Sequence, residues 1–239
     1  MFSFAKHTEF MSMKIKMVVF DMAGTTVNEN NIVYKTVQKT INDAGFNLTL
    51  EQVLAEGAGK EKLQAITDIL KAYANITNAE LADRIYRNFS RKLDKAYSTS
   101  TLSQQPNTKE LFTLLKQRDI YTVLNTGYSR PVAQTIINKL GWVEGVDYDL
   151  LITATDVAGS RPAPDMIQHA ADHFGISTTE AIKVGDSIID IEEGKNANCA
   201  LSIGITTGAH TAEQLQSARP DYIIGNLMEL LPIIVSYGD

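Results

Sequence analysis

The chain has a single cysteine, Cys199, among its 239 residues, so no intrachain disulfide can form, and a reducing cytoplasm is the expected setting. Long apolar runs are missing as well. No stretch approaches the ~20 residues that a membrane span needs. The first dozen residues carry Phe2, Phe4, Lys6, His7 and Glu9 without the apolar core of a signal peptide, so residues 1–13 read as an N-terminal extension. Basic residues are in deficit: 22 Lys and Arg stand against 28 Asp and Glu, for a net charge of −6. That argues against a general nucleic-acid binder, which needs clustered cations. It leaves a small anionic substrate open, because such a ligand responds to the local field. Histidine is scarce too. His169 and His173 have helical metal-ligand spacing, but no Glu sits suitably between them, so a polar helix face is expected rather than zinc. No internal repeat or low-complexity segment is visible. The hydrophobic fraction of 44% and charged fraction of 21% are ordinary for a globular protein.

What is present is a set of short apolar runs that end in polar residues. Met17-Val18-Val19-Phe20 leads to Asp21 and then Met22-Ala23-Gly24-Thr25-Thr26; Tyr121 to Leu124 leads to Asn125-Thr126-Gly127; Ala181 to Val184 leads to Gly185-Asp186. Such runs, each followed by a helical pattern, read as buried parallel strands. Their C-terminal ends are where open α/β sheets bind ligands. From Thr108 onward helix and strand patterns alternate, with helices over Thr108–Gln117, Arg130–Leu140, Pro164–Phe174, Ile188–Ala197, Ala212–Ser217 and Leu227–Val235. Between about Asn28 and Ser100 the pattern is helical alone, over Ile32–Ala44, Leu50–Glu56, Glu61–Ala74 and Ala79–Tyr97. Thr49 with Gln52, and Thr77 with Glu80, have capping-box spacing. The expected architecture is an α/β doubly wound parallel sheet with an inserted all-helical cap. Residues 14–27 and 103–239 form the core and 28–102 the cap, with hinges expected at Asn28–Glu29 and near Ser98–Gln105.

The three strand ends supply a coherent chemistry. Asp21 can attack phosphorus and split one displacement into two easier steps. Asp186, with the Asp21 carboxylate and the Ala23 carbonyl, suits Mg²⁺, a hard cation that takes oxygen ligands. Asp190, one helical turn beyond Asp186, projects toward the same metal or orients its water; its alternative is a solvated first-turn Asp. Thr126 and the amides after it suit a phosphoryl oxygen, or a simple helix cap. Cys199 reads as a small hydrophobe in a strand.

Asp21 to Thr25, Thr126-Gly127, Arg161 in Gly159-Ser160-Arg161-Pro162, and Gly185-Asp186 with Asp190 resemble the four ordered motifs of the haloacid dehalogenase superfamily. Ala23 stands where most of its phosphatases carry a second Asp, and Arg161 where most carry Lys. Both departures resemble the phosphonoacetaldehyde hydrolase (phosphonatase) branch. That resemblance implies a substrate-binding role for Arg161, Thr126, Gly127, Tyr128 and Gly57. It also implies a cap lysine that forms a Schiff base with a substrate aldehyde, and Lys60 in Gly57-Ala58-Gly59-Lys60 stands at the expected place. Glu56 and Leu63 replace a Met and a His of that branch. Gly57 and Gly59 would let the loop approach the core, and Glu61 and Lys62 read as solvated. Gly59-Lys60 is not a P-loop, because Leu54 holds the leading Gly position and Glu61 the Ser/Thr position.

Ala23 carries weight through what it lacks. Expelling an alkoxide from a phosphate ester calls for a general acid, which alanine cannot be. Expelling carbon calls for an electron sink, which a protonated imine supplies. The expected activity is therefore Mg²⁺-dependent P–C cleavage of a small 2-oxoalkylphosphonate. A phosphomonoesterase or phosphotransferase, and a non-catalytic phospho-ligand-binding domain, are the rival readings. The expected partners are a small phosphonate or phosphate substrate, with no nucleic acid and no membrane, and with room for a homodimer.

Overall fold

A computed structural model describes residues 14–238, so the expected extension 1–13 lies outside the described residues. The main sheet has six parallel strands in the order β5-β4-β1-β6-β7-β8. These are β1 (Met17–Asp21), β4 (Tyr121–Thr126), β5 (Leu150–Thr153), β6 (Ala181–Gly185), β7 (Leu201–Ile205) and β8 (Tyr222–Ile224). Strand β1 is central and buried on both faces, which is why its sequence is nearly all apolar. Its residues alternate between two cores. Val18 and Phe20 point into a large cluster with Phe112, Trp142 and Ile182, while Met17 and Val19 point into a smaller one with Val123, Ile152 and Met166.

The strand order reverses at β1: the chain runs from β1 out to β4 and β5, then returns to build β6 on the other side. A reversal of this kind opens a crevice at the strand C-termini. Register decides what lines it. Asp21 is level with Asn125 of β4, and Phe20 with Val184 of β6. Asp21, Thr126 and Asp186 therefore meet at one point, Asp21 one residue, and Thr126 and Asp186 two residues, past the last apolar residue of their strands.

The segment between β1 and β4 is helical: α1 (Ile32–Asn42), α2 (Leu50–Gly57), α3 (Lys62–Ala74) and α4 (Ala79–Thr99) pack on one another. Helix α4 buries the stripe Ala82, Ile85, Phe89, Leu93 and Tyr97, at helical spacing. The Thr49–Gln52 capping box forms at the start of α2. The one expected at Thr77 and Glu80 does not: the Asn78 side chain accepts from Leu81 N instead, one residue later, and Asn is as good a cap as Thr.

Two short strands that sequence patterning does not reveal, β2 (Val27–Asn28) and β3 (Ser103–Gln104), pair antiparallel where the chain leaves for the helices and comes back. Two residues are too few to show a period. The pair ties both crossings together next to the expected hinges. Gln105 N donates to Thr26 O at 2.9 Å beside it.

The remaining helices are α5 (Thr108–Lys116), α6 (Arg130–Leu140), α7 (Asp165–Phe174), α8 (Ile188–Asn196), α9 (Ala212–Ser217) and α10 (Leu230–Gly238). The last begins three residues later than its apolar pattern suggests, because Leu227–Glu229 form a 3-10 turn capped by Asn226. Cys199 lies in the turn between α8 and β7 rather than in a strand, half-buried, with burial pushing its thiol up to about 12. His169 and His173 sit on the exposed face of α7, as a polar helix face requires. No helix among the described residues is long and apolar enough to cross a membrane.

Candidate active site

Asp21, Ala23, Thr126, Gly127, Tyr128, Arg161 and Asp186 line one small cavity at the crevice, together with Tyr34, Gly59 and Lys62 from the helical segment. Asp21 is 5% exposed. Its Oδ1 accepts from Arg161 Nη1 at 2.7 Å, which fixes the orientation of the carboxylate. Burial, and then the nearby Asp190, lift its pKa from 3.8 to about 6 against the pull of Arg161 and Lys183. Asp186 is lifted well above the ordinary carboxylate range by burial and by Asp21 and Asp190. It makes no ion pair among the described residues. Its Oδ2 accepts from Ala209 N at 2.6 Å, and a Cβ at Gly208 would lie 1.9 Å from that oxygen. Glycine is required there because the loop backbone is pressed against the carboxylate.

Carboxylate oxygens of Asp21, Asp186 and Asp190 lie within 4.8 Å of one another. Two like charges at that separation repel by about 3 kcal/mol at an effective dielectric near 20. Asp190 escapes this, because its Oδ1 pairs with Arg161 at 2.9 Å and Lys183 at 3.0 Å, and its Oδ2 accepts from Ser187 Oγ at 2.5 Å. Burial alone would raise it, but those two cations outweigh burial and hold its carboxyl below the ordinary value. Asp21 and Asp186 remain as a buried carboxylate pair with too little positive charge between them. That donor set fits a hard divalent cation.

Arg161 is committed to protein partners. Besides Asp21 and Asp190 it pairs with Glu193 Oε2 at 3.0 Å and donates to Asn125 O at 2.8 Å. Its guanidinium therefore orients the Asp21 carboxylate while facing the cavity. Lys183 and Glu193, neither singled out from sequence, are both fully buried and 3.0 Å apart. The signals are there: Lys183 interrupts an otherwise apolar strand, where a charge is almost never found unpaired. Glu193 lies three residues after Asp190, on the same helix face.

The two lysines of the loop before α3 exchange places relative to expectation. Lys60 turns away from the cavity and pairs with Asp68 at 2.6 Å, both side chains partly exposed. Lys62 is the buried one, 5% exposed, with its Nζ 5.4 Å from the Tyr34 ring centroid and 5.3 Å from that of Tyr128. The ammonium also donates to the Lys60 carbonyl. Burial lowers its pKa from 10.5 to about 8, against Glu61, Asp21 and Glu29, which favour its charge. Helix periodicity could have found it: Ala65, Ile66, Ile69 and Leu70 are the buried stripe of α3, and Lys62 lies one turn before it on that face.

The glycines divide similarly. Gly59 reaches the core: a Cβ there would lie 2.3 Å from Ser187 Oγ. A Cβ on Gly127 would lie 3.0 Å from Gly59 O. Gly57, expected at the substrate, instead packs inside the helical segment against Ile69. Beneath Lys62 lies a buried acid that sequence reading did not weigh as a site residue. Glu29 is 3% exposed, accepts from Tyr128 Oη at 3.1 Å and also from Tyr97 Oη, and has its pKa raised by burial. It ties the chain just after β2 to the end of α4 and to the loop after β4. Thr126 is buried, with its Oγ1 accepting from Tyr128 N at 3.2 Å.

Residues 18–203 match the family model of the haloacid dehalogenase-like hydrolases. The chain belongs to that family. Among curated proteins it is 28% identical to a phosphonoacetaldehyde hydrolase of Latilactobacillus sakei, over 93% of this chain and 96% of the relative. It is also 27% identical to the pyrophosphatase PpaX of Listeria welshimeri, over 94% of this chain and 98% of the relative. A solved phosphonoacetaldehyde hydrolase-like protein from Oleispira antarctica shares the fold, with a TM-score of 0.83 at 22% identity, covering 99% of this chain and 97% of that one. The protein is thus a hydrolase of the haloacid dehalogenase type, with a six-stranded parallel sheet and helices that cover the crevice.

Proposed function

We propose that this hydrolase cleaves the P–C bond of a small 2-oxoalkylphosphonate, with Lys62, rather than Lys60, as the imine-forming amine. The observation that carries the reading is Lys62 itself, an amine buried in the cavity that holds Asp21 and lowered to about 8. At pH 7 roughly a tenth of such a group is neutral, against a few parts in ten thousand for an ordinary lysine.

The neutral amine adds to the substrate carbonyl and loses water to give an iminium. Asp21 attacks phosphorus, and the P–C electron pair moves into the iminium to give an enamine, so carbon departs without a general acid at Ala23. Water then cleaves the aspartyl-phosphate; protonation on carbon and hydrolysis free the product and Lys62. Arg161 holds Asp21 in line, and Thr126 with the following amides receives the phosphonate oxygens. Asp21, Asp186 and the Ala23 carbonyl would hold the metal, and Mg²⁺ is the cation such oxygen ligands suit. When bound, it supplies charge neutralisation between the carboxylates and the phosphonate. Asp190, already saturated, positions Arg161 and Lys183 instead of binding the ion.

The test of the reaction class is phosphate release from phosphonoacetaldehyde measured beside release from pyrophosphate and from simple phosphate esters. The proposal expects the phosphonate to exceed both by at least 100-fold in kcat/KM. Preference for pyrophosphate would overturn it in favour of the PpaX-like activity.

The metal site has its own readout. For Asp21 and Asp186 the folded-state pKa lies above the unfolded one, so their contribution to stability is present at low pH and is lost as pH rises through the folded pKa. In metal-free protein the Asp21 contribution should therefore fall as pH rises from about 3.8, where the carboxyl ionises in the unfolded chain, and be fully lost just above about 6, where it ionises in the folded one. A divalent cation relieves that repulsion. Added Mg²⁺ should raise Tm by several degrees at pH 8 and by little at pH 5, and Asp186→Asn should abolish the shift. An equal shift at both pH values would contradict the assignment.

A further inference from the structure

Lys62, Gly127 and Tyr128 line two cavities at once. One is the chamber around Asp21. The other, of about 240 Å³, lies beyond Lys62 between α4 and the start of α6. Its walls are mixed: Phe89 and Leu93 of α4 with Pro131 and Val132 of α6 supply an apolar side, and Ser90, Ser129 and Thr155 supply hydroxyls. The Tyr86 and Phe89 rings lie 6.2 Å apart between centroids, tilted by 31°. Glu61 and Lys62 bring the only charges to the lining. The Glu61 carboxylate is occupied in capping α3, accepting from Gln64 N at 3.0 Å.

For a phosphonate at Asp21 whose carbonyl carbon is bonded to Lys62, the larger cavity is the space next to that bond, because Lys62 and Tyr128 line both cavities. A group on that carbon has room to enter it. A two-carbon aldehyde, with only hydrogen there, would leave that cavity unused. At about 240 Å³ it exceeds the ~150 Å³ that accepts a benzene ring.

From this we propose that the larger cavity binds an apolar substituent on the carbonyl carbon. The preferred substrate is then a ketone, R–CO–CH₂–PO₃²⁻, with R an alkyl or aryl group of about four to eight carbons. The inference rests on the P–C cleavage reading and extends it. The reaction balances as R–CO–CH₂–PO₃²⁻ + H₂O → R–CO–CH₃ + HPO₄²⁻: the P–C bond breaks, its electron pair passes through the enamine to carbon, and that carbon takes a proton. No redox partner is required. A tail ending in a carboxylate is disfavoured, because it would lose water beside the Glu61 carboxylate.

The experiment compares kcat/KM for phosphonoacetaldehyde, 2-oxopropylphosphonate, 2-oxohexylphosphonate and 6-phosphono-5-oxohexanoate, whose tail ends in a carboxylate. Each buried methylene is worth about four-fold. The butyl ketone should exceed the methyl ketone by at least 30-fold, and the carboxylate-tailed compound should fall back by at least ten-fold from the butyl ketone. Filling the cavity with Val132→Phe, or independently Ser90→Phe from the facing helix, should lower the butyl-to-methyl ratio at least ten-fold. Equal turnover of the two ketones, unmoved by either filling variant, would overturn the tail site while leaving P–C cleavage standing. Failure to release phosphate from any of the four compounds would instead remove the P–C reading, and the tail site with it.

Discussion

Asp21→Asn should abolish phosphate release, by roughly 10⁴- to 10⁶-fold in kcat, while leaving the protein folded. A nucleophile acts as part of a unit, and removing it from such a unit costs effects of that order. The amide keeps the shape of the carboxylate but cannot form the aspartyl-phosphate. Stability should move the other way. Asp21 loses its charge-assisted bond from Arg161 Nη1 at 2.7 Å, but the substitution also ends its repulsion with Asp190 and Asp186. Burial already pushes this carboxyl up to about 6, which says that the folded protein bears its charge at a cost. Above pH 6 the variant should melt at the wild-type temperature or higher, as is common when a strained catalytic group is neutralised. Thermal melts alongside phosphate assays check both halves. A variant with a tenth of wild-type activity would contradict the nucleophile.

The second large effect separates the two lysines. Lys62→Met should lower kcat/KM on phosphonoacetaldehyde by about 10³-fold or more, equivalent to ~4 kcal/mol of transition-state stabilisation. Lys60→Met should change it by no more than about three-fold. The physical contrast is burial. The Lys60–Asp68 pair keeps 21% and 27% of its side chains exposed, and such pairs contribute only ~0–1 kcal/mol. Lys62 is desolvated between two tyrosine rings. Methionine preserves the packing of its stem, so lost activity would report the amine and not a collapsed loop. The pH profile is a further check. Attack requires neutral Lys62, so kcat/KM should climb with pH and level off above about 8.

The half of the site built on strand ends is legible in the sequence because parallel strands are. Each motif follows a buried apolar run, and parallel register then brings the run ends together without any further information. Hence Asp21, Thr126 and Asp186 meet as their spacing implies. The half contributed by the helices is less legible, because a loop's direction is decided by packing. Lys60 and Lys62 are two residues apart on a turn, and only the stripe Ala65, Ile66, Ile69 and Leu70 tells which faces inward. Gly57 fails as a substrate contact for the same reason: it closes α2 against Ile69. The Arg161, Lys183, Asp190 and Glu193 network is half-visible. Its members come from a loop, a strand and one helix face, and their pairing is a matter of tertiary placement. The β2–β3 pair at the two crossings is too short to leave any pattern.

The most direct measurement of the central claim is borohydride reduction of the enzyme during turnover of phosphonoacetaldehyde, followed by peptide mass spectrometry. The account predicts a reduced two-carbon adduct on Lys62, absent without substrate and absent in Lys62→Met, with Lys60 unmodified. An adduct on Lys60 alone, or steady phosphate release with no adduct on either lysine, would contradict it.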